Sequence, residues 1–306
     1  MDRKRILIAG GSGFIGRALV REFLAQGFEV AVLTRSPRQS AGGAQELAWD
    51  GSSAGAWTAS LDGAEAIINL TGKSINCPHT PENLREITDS RVNSVNAIAA
   101  AIRQVRLPPR VWVQASATGF YGDTGDTVCD EDTPAGNGTL AEICKKWEGA
   151  FSTAALTQTR KVCLRIGFVL GREGGALPVL CKMTRLFLGG AAGSGRQYVS
   201  WVHLTDLVAM FKAATVGEQF QGIFNAIAPN AVTNAELMRE LRRVLHRPWS
   251  PPAPEFAVKL GARLMGSEGS LALASQRSVP RRFQEAGFPF RFSGLEEALK
   301  DLCAKP

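Results

Sequence analysis

Short apolar runs with β preference alternate with amphipathic stretches through more than half of the chain. The run RILIA at 5–9 is closed by Gly10 and Gly11, and from Gly13 onward Phe14–Ala25 shows helical amphipathicity. Gly27 stops that helix, and EVAVLT at 29–34 predicts a second strand. A third strand is expected over 45–49 and a fourth, AIINL, over 66–70. Thr80-Pro81 reads as a helix start, because threonine suits the N-cap and proline the first turn. Ile87, Val95, Ile98 and Ile102 then recur at helical spacing, with the polar cluster Asp89, Ser90 and Arg91 interrupting the region. Val111, Val113 and Ala115 end a fifth strand. Thr139-x-x-Glu142 reads as a capping box that opens a helix to residue 155, and 162–169 is a sixth strand. Alternation of this kind predicts an α/β fold with a parallel, doubly wound sheet.

Beyond Gly171 the pattern changes. Glycines at 174–175, 189–190, 193 and 195 surround an apolar helix expected over 177–188. A strand over 199–204, a helix over 206–215 and a late strand over 223–226 follow, and Thr233-x-x-Glu236 repeats the capping box. Residues 248–254 carry four prolines and read as a linker. The linker separates a large domain, 1–247, from a small, mixed C-terminal domain, 248–306, whose last helix Ser293-x-x-Glu296 would cap. There is no internal repeat or low-complexity tract.

Composition narrows the class. The 306 residues, 45% hydrophobic and 21% charged, are ordinary for a soluble globular protein with a sizeable core. The basic N-terminus, MDRKR, resembles the start of a signal peptide, but Gly10, Gly11 and Gly13 break its apolar run almost at once. No run approaches transmembrane length. Six scattered cysteines, without a C-x-x-C pair or metal-ligand spacing, suit reduced thiols in a cytoplasmic protein without a metal. The net charge of +7 is accounted for by a basic cofactor groove, since no lysine-rich tail or aromatic RNA-binding motif accompanies it. A small-molecule substrate is expected, with neither nucleic acid nor membrane as partner; a homodimer is left open.

The chemistry starts at the glycines. In Gly10-x-x-Gly13-x-x-Gly16, lying between strand and helix, the first permits a tight turn and the second lets the backbone approach a pyrophosphate. The third lets the helix pack close to the strand. The helix start adds unpaired N–H groups and a partial positive charge. Strand, glycine turn and helix start together predict a Rossmann-type dinucleotide site, the alternative being a plain βα turn. Where an NAD site places an acid, about 20 positions on, this chain has Thr34 and Arg35. A guanidinium pairs with a 2′-phosphate that a carboxylate would repel, so the expected cofactor is NADP. The alternative is that Arg35 is a solvated surface charge.

Several segments in order, GGSGFIG, INLTG, SATGFYGD, RIGFVLG and SWVHLTDL, resemble those of the extended short-chain dehydrogenase/reductases. DSR at 89–91, CKKWE at 144–148, GSGRQYVSWVH at 193–203 and QRSVPRRFQEAGFPF at 276–290 are similar to an atypical branch. Its members are usually named epimerase-family proteins or nucleoside-diphosphate-sugar epimerases. The resemblance covers nearly the whole chain. It implies that Gly10, Gly13, Phe14, Ile15 and Gly16 form the pyrophosphate turn and that Thr34 and Arg35 meet the 2′-phosphate side. Leu70, Thr71 and Gly72 would then meet the ribose and nicotinamide, with Glu86, Arg91 and Phe168 lining the cofactor. Arg91 could instead form an ion pair with Glu86.

In the wider superfamily a serine or threonine after the fifth strand acts with a Tyr-x-x-x-Lys pair, whose lysine lowers the phenol's pKa. Ser116 matches the serine, with Thr118 as the alternative, and a hydroxyl that merely caps local backbone is an equal reading. The chain has only two tyrosines, Tyr121 and Tyr198, and four residues beyond them stand Gly125 and Val202. The matched helix positions hold Cys144 and Glu148. A carboxylate one turn away raises a thiol's pKa, so Cys144 reads as a small buried residue. Proton transfer would fall to Ser116, to Tyr121 if its loop folds inward, or to substrate and water. The arginine that binds sugar-nucleotide phosphates in related enzymes is replaced here by Val199, and His203 reads as structural. Two functions follow: an NADP-dependent oxidoreductase or epimerase-like enzyme acting on a small molecule, or a non-catalytic NADP(H) sensor.

Overall fold

Seven parallel strands carry the fold: β1 (Arg5–Ala9), β2 (Glu29–Thr34), β3 (Gln45–Ala48), β4 (Ala66–Asn69), β5 (Val111–Ala117), β6 (Arg160–Ile166) and β7 (Gly222–Ala226). The structure is a computed structural model that describes residues 4–38, 43–264 and 266–304. The strands lie in the order β7-β6-β5-β4-β1-β2-β3, so the order reverses between β1 and β4. Ligands of open α/β sheets bind at the carboxyl ends of strands flanking such a reversal. Ile6, Leu7 and Ile8 stand beside Ala66, Ile67 and Ile68 of β4, and all six are fully buried. That is why the strands read as continuous apolar runs rather than alternating ones.

Helices α1 (Phe14–Ala25) and α5 (Leu204–Val216) pack on one another, as do α2 (Pro81–Gln104) and α3 (Thr139–Thr153), and the two pairs cover the sheet. α2 is one unbroken helix, so Asp89, Ser90 and Arg91 do not interrupt it. Ser90 and Arg91 return hydrogen bonds to the Ile87 carbonyl and stay within the helix. Thr80 caps α2 by accepting from the Asn83 amide at 3.2 Å, and Thr233 and Glu236 form a reciprocal box on α6 (Asn234–Val244). The other two boxes do not form. Gly138, at φ +100°, is the N-cap of α3, and Glu142 turns to Lys145. Gly294 is the N-cap of the last helix, and Glu296 pairs with Lys300 and Arg243 instead. A carboxylate near a free cation has a competing partner that the motif does not reveal.

The expected sixth strand breaks in two. β6 stops at Ile166, and Phe168–Leu170 leaves the main sheet to pair with Trp201–His203. Gly167 permits the break, because a Cβ there would lie 2.3 Å from the Ser200 carbonyl oxygen. The strand expected over 199–204 is likewise two pieces, with Tyr198–Val199 pairing antiparallel to Val232–Thr233. Helix α4 (Leu177–Arg185) ends three residues before the expected 188, since Phe187 adopts a left-handed φ of 63°.

The C-terminal part contributes α7 (Glu255–Leu264), α8 (Arg281–Glu285) and α9 (Leu295–Cys303). Phe283 of α8 is fully buried against Phe220, Phe224 and Phe288, which attaches this segment to β7. α9 packs on α6, placing Leu295 and Leu299 in a second core with Trp201, Leu237 and Leu241. Gly167→Ala is expected to cost about 1–3 kcal/mol by forcing this backbone crossing apart. A lower midpoint in urea denaturation, with an unchanged slope, is the result that checks it.

Candidate functional site

β1 delivers the chain into a turn that only glycine fits at three places. Gly10 sits at φ +80°. A Cβ on Gly11 would meet both Val32 methyls at 2.8 Å, and one on Gly16 would lie 2.4 Å from the Gly10 oxygen. α1 therefore begins directly on the sheet edge. Its N-cap, Gly13, has no side-chain cap, and the first turn holds no acid, so the helix start faces outward with its amides free of side-chain partners. A Cβ on Gly13 would touch only the Gly10 oxygen, at 3.3 Å, which leaves open space in front of the turn. Ile15 packs on the main core, and the Phe14 ring is enclosed by Gly171, Gly174 and Gly175.

The segment after β4 is held by a buried amide cluster. Asn69 donates from Nδ2 to Ser94 Oγ at 3.1 Å and Gln114 Oε1 at 3.0 Å, while its Oδ1 accepts from the Thr71 amide at 3.0 Å. The Leu70 amide donates to the Ala9 carbonyl at 2.9 Å. Thr71 Oγ1 is buried and has no hydrogen-bond partner among the described residues. Such an atom is costly unless something else meets it. Gly72 lies against Arg91, whose guanidinium a Cβ would approach to 3.0 Å. Arg91 donates from Nη1 to the Lys73 and Ile87 carbonyls, both at 2.9 Å, and its guanidinium lies 5.0 Å from the Trp147 ring centre. Burial lowers its pKa. The ion pair considered between Arg91 and Glu86 is absent, because Glu86 pairs with Lys73.

At the other end of this edge a cavity of about 430 Å³ is lined by Arg35, Trp49, Asp50, Ser53 and Trp57. Arg35 is exposed, follows Thr34 at the end of β2, and forms no ion pair among the described residues. Asp50 could repel an anion here, but its oxygens are engaged locally. They accept from the Ser53 hydroxyl at 2.6 Å and the Ser52 and Ser53 amides at 2.7 and 2.8 Å, which hold its pKa down, to about 2.

Ser116 stands near the end of β5, 3% exposed, and donates to Glu148 Oε1 at 2.6 Å. Glu148 is paired with Arg165 of β6 through two bonds, Nε to Oε1 at 2.9 Å and Nη2 to Oε2 at 2.8 Å. Arg165 Nη1 donates to the Tyr121 hydroxyl at 2.9 Å, and the Phe120 ring stacks over the guanidinium at 3.5 Å. The Tyr121 hydroxyl, facing Asn225 Oδ1 at 2.8 Å and the Asp130 carbonyl at 2.7 Å, is enclosed, and its residue is 3% exposed. Burial pushes its pKa up to about 12. Burial works against the charge of Arg165, but Glu148 and Tyr121 together hold its pKa above the ordinary arginine value. Thr118 Oγ1 donates to Gln276 Oε1 at 2.8 Å. A separate cavity of about 420 Å³, between Phe120, Phe151 and Ile223, reaches Glu148 and Arg165 but touches no residue of the glycine turn.

Cys144 is buried beside this network, with a thiol pKa pushed up to about 12. Burial is the larger cause and Glu148 the second, which reorders the expected explanation. His203 is buried against Phe292, accepts at Nδ1 from the Thr205 amide and faces Asp301 with Nε2 at 3.3 Å. Burial lowers its pKa, so a neutral ring caps α5. Phe168, half-buried, follows Gly167 beyond β6 and packs on the second core.

A family model described as the NAD dependent epimerase/dehydratase family matches residues 6–226. The chain belongs to that family. A second model, a domain of unknown function, matches residues 253–302. Epimerase family protein SDR39U1 of Bos taurus is 35% identical over 306 residues, covering 98% of this chain and 100% of its own. The chloroplastic SDR39U1 homolog of Arabidopsis thaliana is 35% identical, covering 96% of this chain and 85% of its own. The crystal structure of human SDR39U1 with NADPH is similar at TM-score 0.87 and 32% identity, over 97% of this chain and 98% of that one. The nucleoside-diphosphate sugar epimerase from Corynebacterium glutamicum is similar at TM-score 0.78 and 30% identity, over 98% of this chain and 58% of that one.

Arg165 and the roles of Asn69 and Gln114 escaped the sequence reading. The available signal was polarity inside the apolar strands VCLRI and AIIN, because a charge or amide in a sheet interior requires a buried partner. Glu148→Ala leaves Arg165 charged and unpaired, and is expected to destabilise the fold by about 3–5 kcal/mol. Chemical denaturation of the two proteins side by side is the check.

Proposed function

We propose that this family member is an NADP-dependent oxidoreductase or epimerase-like enzyme of the extended short-chain dehydrogenase/reductase type, acting on a small molecule. One observation carries the reading: a row of unused binding groups along the carboxyl edge of the sheet. These are the uncapped start of α1, the partnerless Thr71 Oγ1 and the Arg35 guanidinium at its cavity. They fit, in that order, a pyrophosphate, the ribose and nicotinamide side, and a 2′-phosphate. The NADPH held by the similar human protein supports the same assignment.

Bound NADP would supply hydride exchange at its nicotinamide ring. The turn from Gly10 to Gly16, with Phe14 and Ile15, would hold the phosphates through backbone amides, while Thr34 and Arg35 distinguish the phosphorylated ribose. Leu70, Thr71 and Gly72 would position the far half, with Glu86, Arg91 and Phe168 bordering the cleft. In this reading residues 1–247 hold the cofactor, and 248–306 form a small domain on the substrate side. Ser116 would accept or orient a hydrogen bond at the reacting end, since its own proton is directed to Glu148. Tyr121 has the weaker claim, its hydroxyl being enclosed by Arg165 and Asn225.

That inward direction of the Ser116 and Tyr121 hydroxyls favours a second reading, a non-catalytic NADP(H) sensor. Turnover separates the two. NADPH oxidation is followed against a panel of small carbonyl compounds, with cofactor affinity measured in parallel. For the enzyme, Ser116→Ala lowers kcat with NADPH affinity nearly unchanged, and Cys144→Ala keeps most activity because its thiol is a poor acid at neutral pH. Binding without turnover of any compound supports the sensor. Collapse of turnover in a folded Cys144→Ala protein that still binds NADPH refutes this assignment of roles.

Cofactor choice is a separate measurement. A charge-assisted contact contributes about 1.5–3 kcal/mol, so NADPH should bind about tenfold to a hundredfold more tightly than NADH. Arg35→Ala should remove most of that preference in a fluorescence titration. Equal affinities in the unmodified protein would exclude Arg35 as the discriminating residue.

A further inference from the structure

Seven of the eleven large apolar side chains exposed among the described residues fall within 186–188 and 249–264, each 53–80% exposed. Leu186, Phe187 and Leu188 project from the turn that ends α4, and Trp249 from the proline-rich segment. The rest are Phe256, Leu260 and Leu264 of α7.

Backbone contacts bring these stretches side by side. Gly190 is packed on Pro251 so closely that a Cβ would lie 1.8 Å from its carbonyl oxygen. The Ala253 amide donates to the Ala191 carbonyl and the Gly193 amide to the Ala253 carbonyl, both at 2.8 Å. The Arg247 guanidinium lies over the Phe187 ring at 5.3 Å. On α7 the inward side is formed by Ala262, buried, and Ala257, Val258 and Gly261, partly so. Phe256, Leu260 and Leu264 recur every fourth residue on the outward arc, and Lys259 and Arg263 flank them. The stripe is a built surface, since scattered chance exposure would not follow the helix period.

Charge decides what covers it. Residues 177–192 and 245–264 contain five cations, Lys182, Arg185, Arg247, Lys259 and Arg263, against a single carboxylate, Glu255. A second copy meeting this face about a two-fold axis would set cations against cations. No helix among the described residues is long and apolar enough to cross a membrane. Apolar and aromatic side chains rimmed by lysine and arginine on a short helix fit a surface that is anionic outside and apolar just beneath.

We propose that this face, formed by α7 and the turn after α4, docks on an anionic phospholipid surface. The helix lies in the plane of the headgroups, Phe256, Leu260 and Trp249 enter the acyl boundary, and the cations meet lipid phosphates. This departs from the expectation of no membrane partner, because hydrophobic periodicity alone does not show which apolar positions the fold leaves outside. It does not depend on the proposed enzyme activity.

The test is flotation of the full-length protein with two kinds of vesicle, phosphatidylcholine alone and phosphatidylcholine mixed with phosphatidylglycerol. The protein should float with the mixed vesicles only and be released by high salt. The double variant Lys259→Ala/Arg263→Ala should bind about tenfold more weakly or worse, from about 1 kcal/mol per cation. Phe256→Ser/Leu260→Ser should lose flotation while keeping its circular dichroism and melting temperature, as these side chains are exposed. No flotation with the mixed vesicles, or equal flotation with both kinds, overturns the proposal. So does a dimer in sedimentation that Phe256→Ser/Leu260→Ser dissociates, which would make the face a contact between copies.

Discussion

The approach of Gly16 to the Gly10 carbonyl sets the geometry on which the rest of the molecule depends. With 2.4 Å between that oxygen and the position of any Cβ, α1 begins on the sheet edge only if residue 16 has no side chain. Its uncapped first turn thereby follows directly on β1, one of the two strands between which the order reverses. Once that end is placed, β2 must carry Arg35 to one side of it and β4 must carry Thr71 to the other. The buried amide cluster of Asn69, Ser94 and Gln114 serves the same arrangement, tying the turn after β4 to α2 and β5.

Beside this edge runs a second constraint, the buried pair of Glu148 and Arg165. It joins α3 to β6 and reaches Ser116 of β5 on one side and Tyr121, just beyond β5, on the other, so these segments share one polar network in an apolar surrounding. A low-dielectric interior makes each member dependent on the others, because an unpaired group there would be left without solvent. The same surroundings raise the Cys144 thiol pKa and quiet it chemically. Burial thus does two things at once: it holds the sheet to its helix and raises the pKa of both the Cys144 thiol and the Tyr121 phenol.

The C-terminal segment shares both cores, through Phe283 on β7 and through Leu295 and Leu299 on α6. Its inner faces are accordingly well covered. The outer face of α7, rich in apolar side chains and cations, is the part with no such cover.

Local chemistry sufficed for the parts of the fold that are local. Glycine spacing, strand preference and the Thr80 and Thr233 caps each act within a few residues, so β1, α1, β2 and the helix starts at 81 and 234 were legible in the chain itself. The glycine turn between β1 and α1 was legible for the same reason. Where two distant segments compete for one group, the sequence was silent. Glu142 and Glu296 left their caps for cations, Glu86 chose Lys73 over Arg91, and Gly167 ended a strand because Ser200 crosses it. Arg165, one charge in an apolar run, has a meaning only once Glu148 and Tyr121 are brought to it. Backbone preference is written residue by residue, whereas pairing and exposure are properties of neighbours that only the tertiary structure supplies.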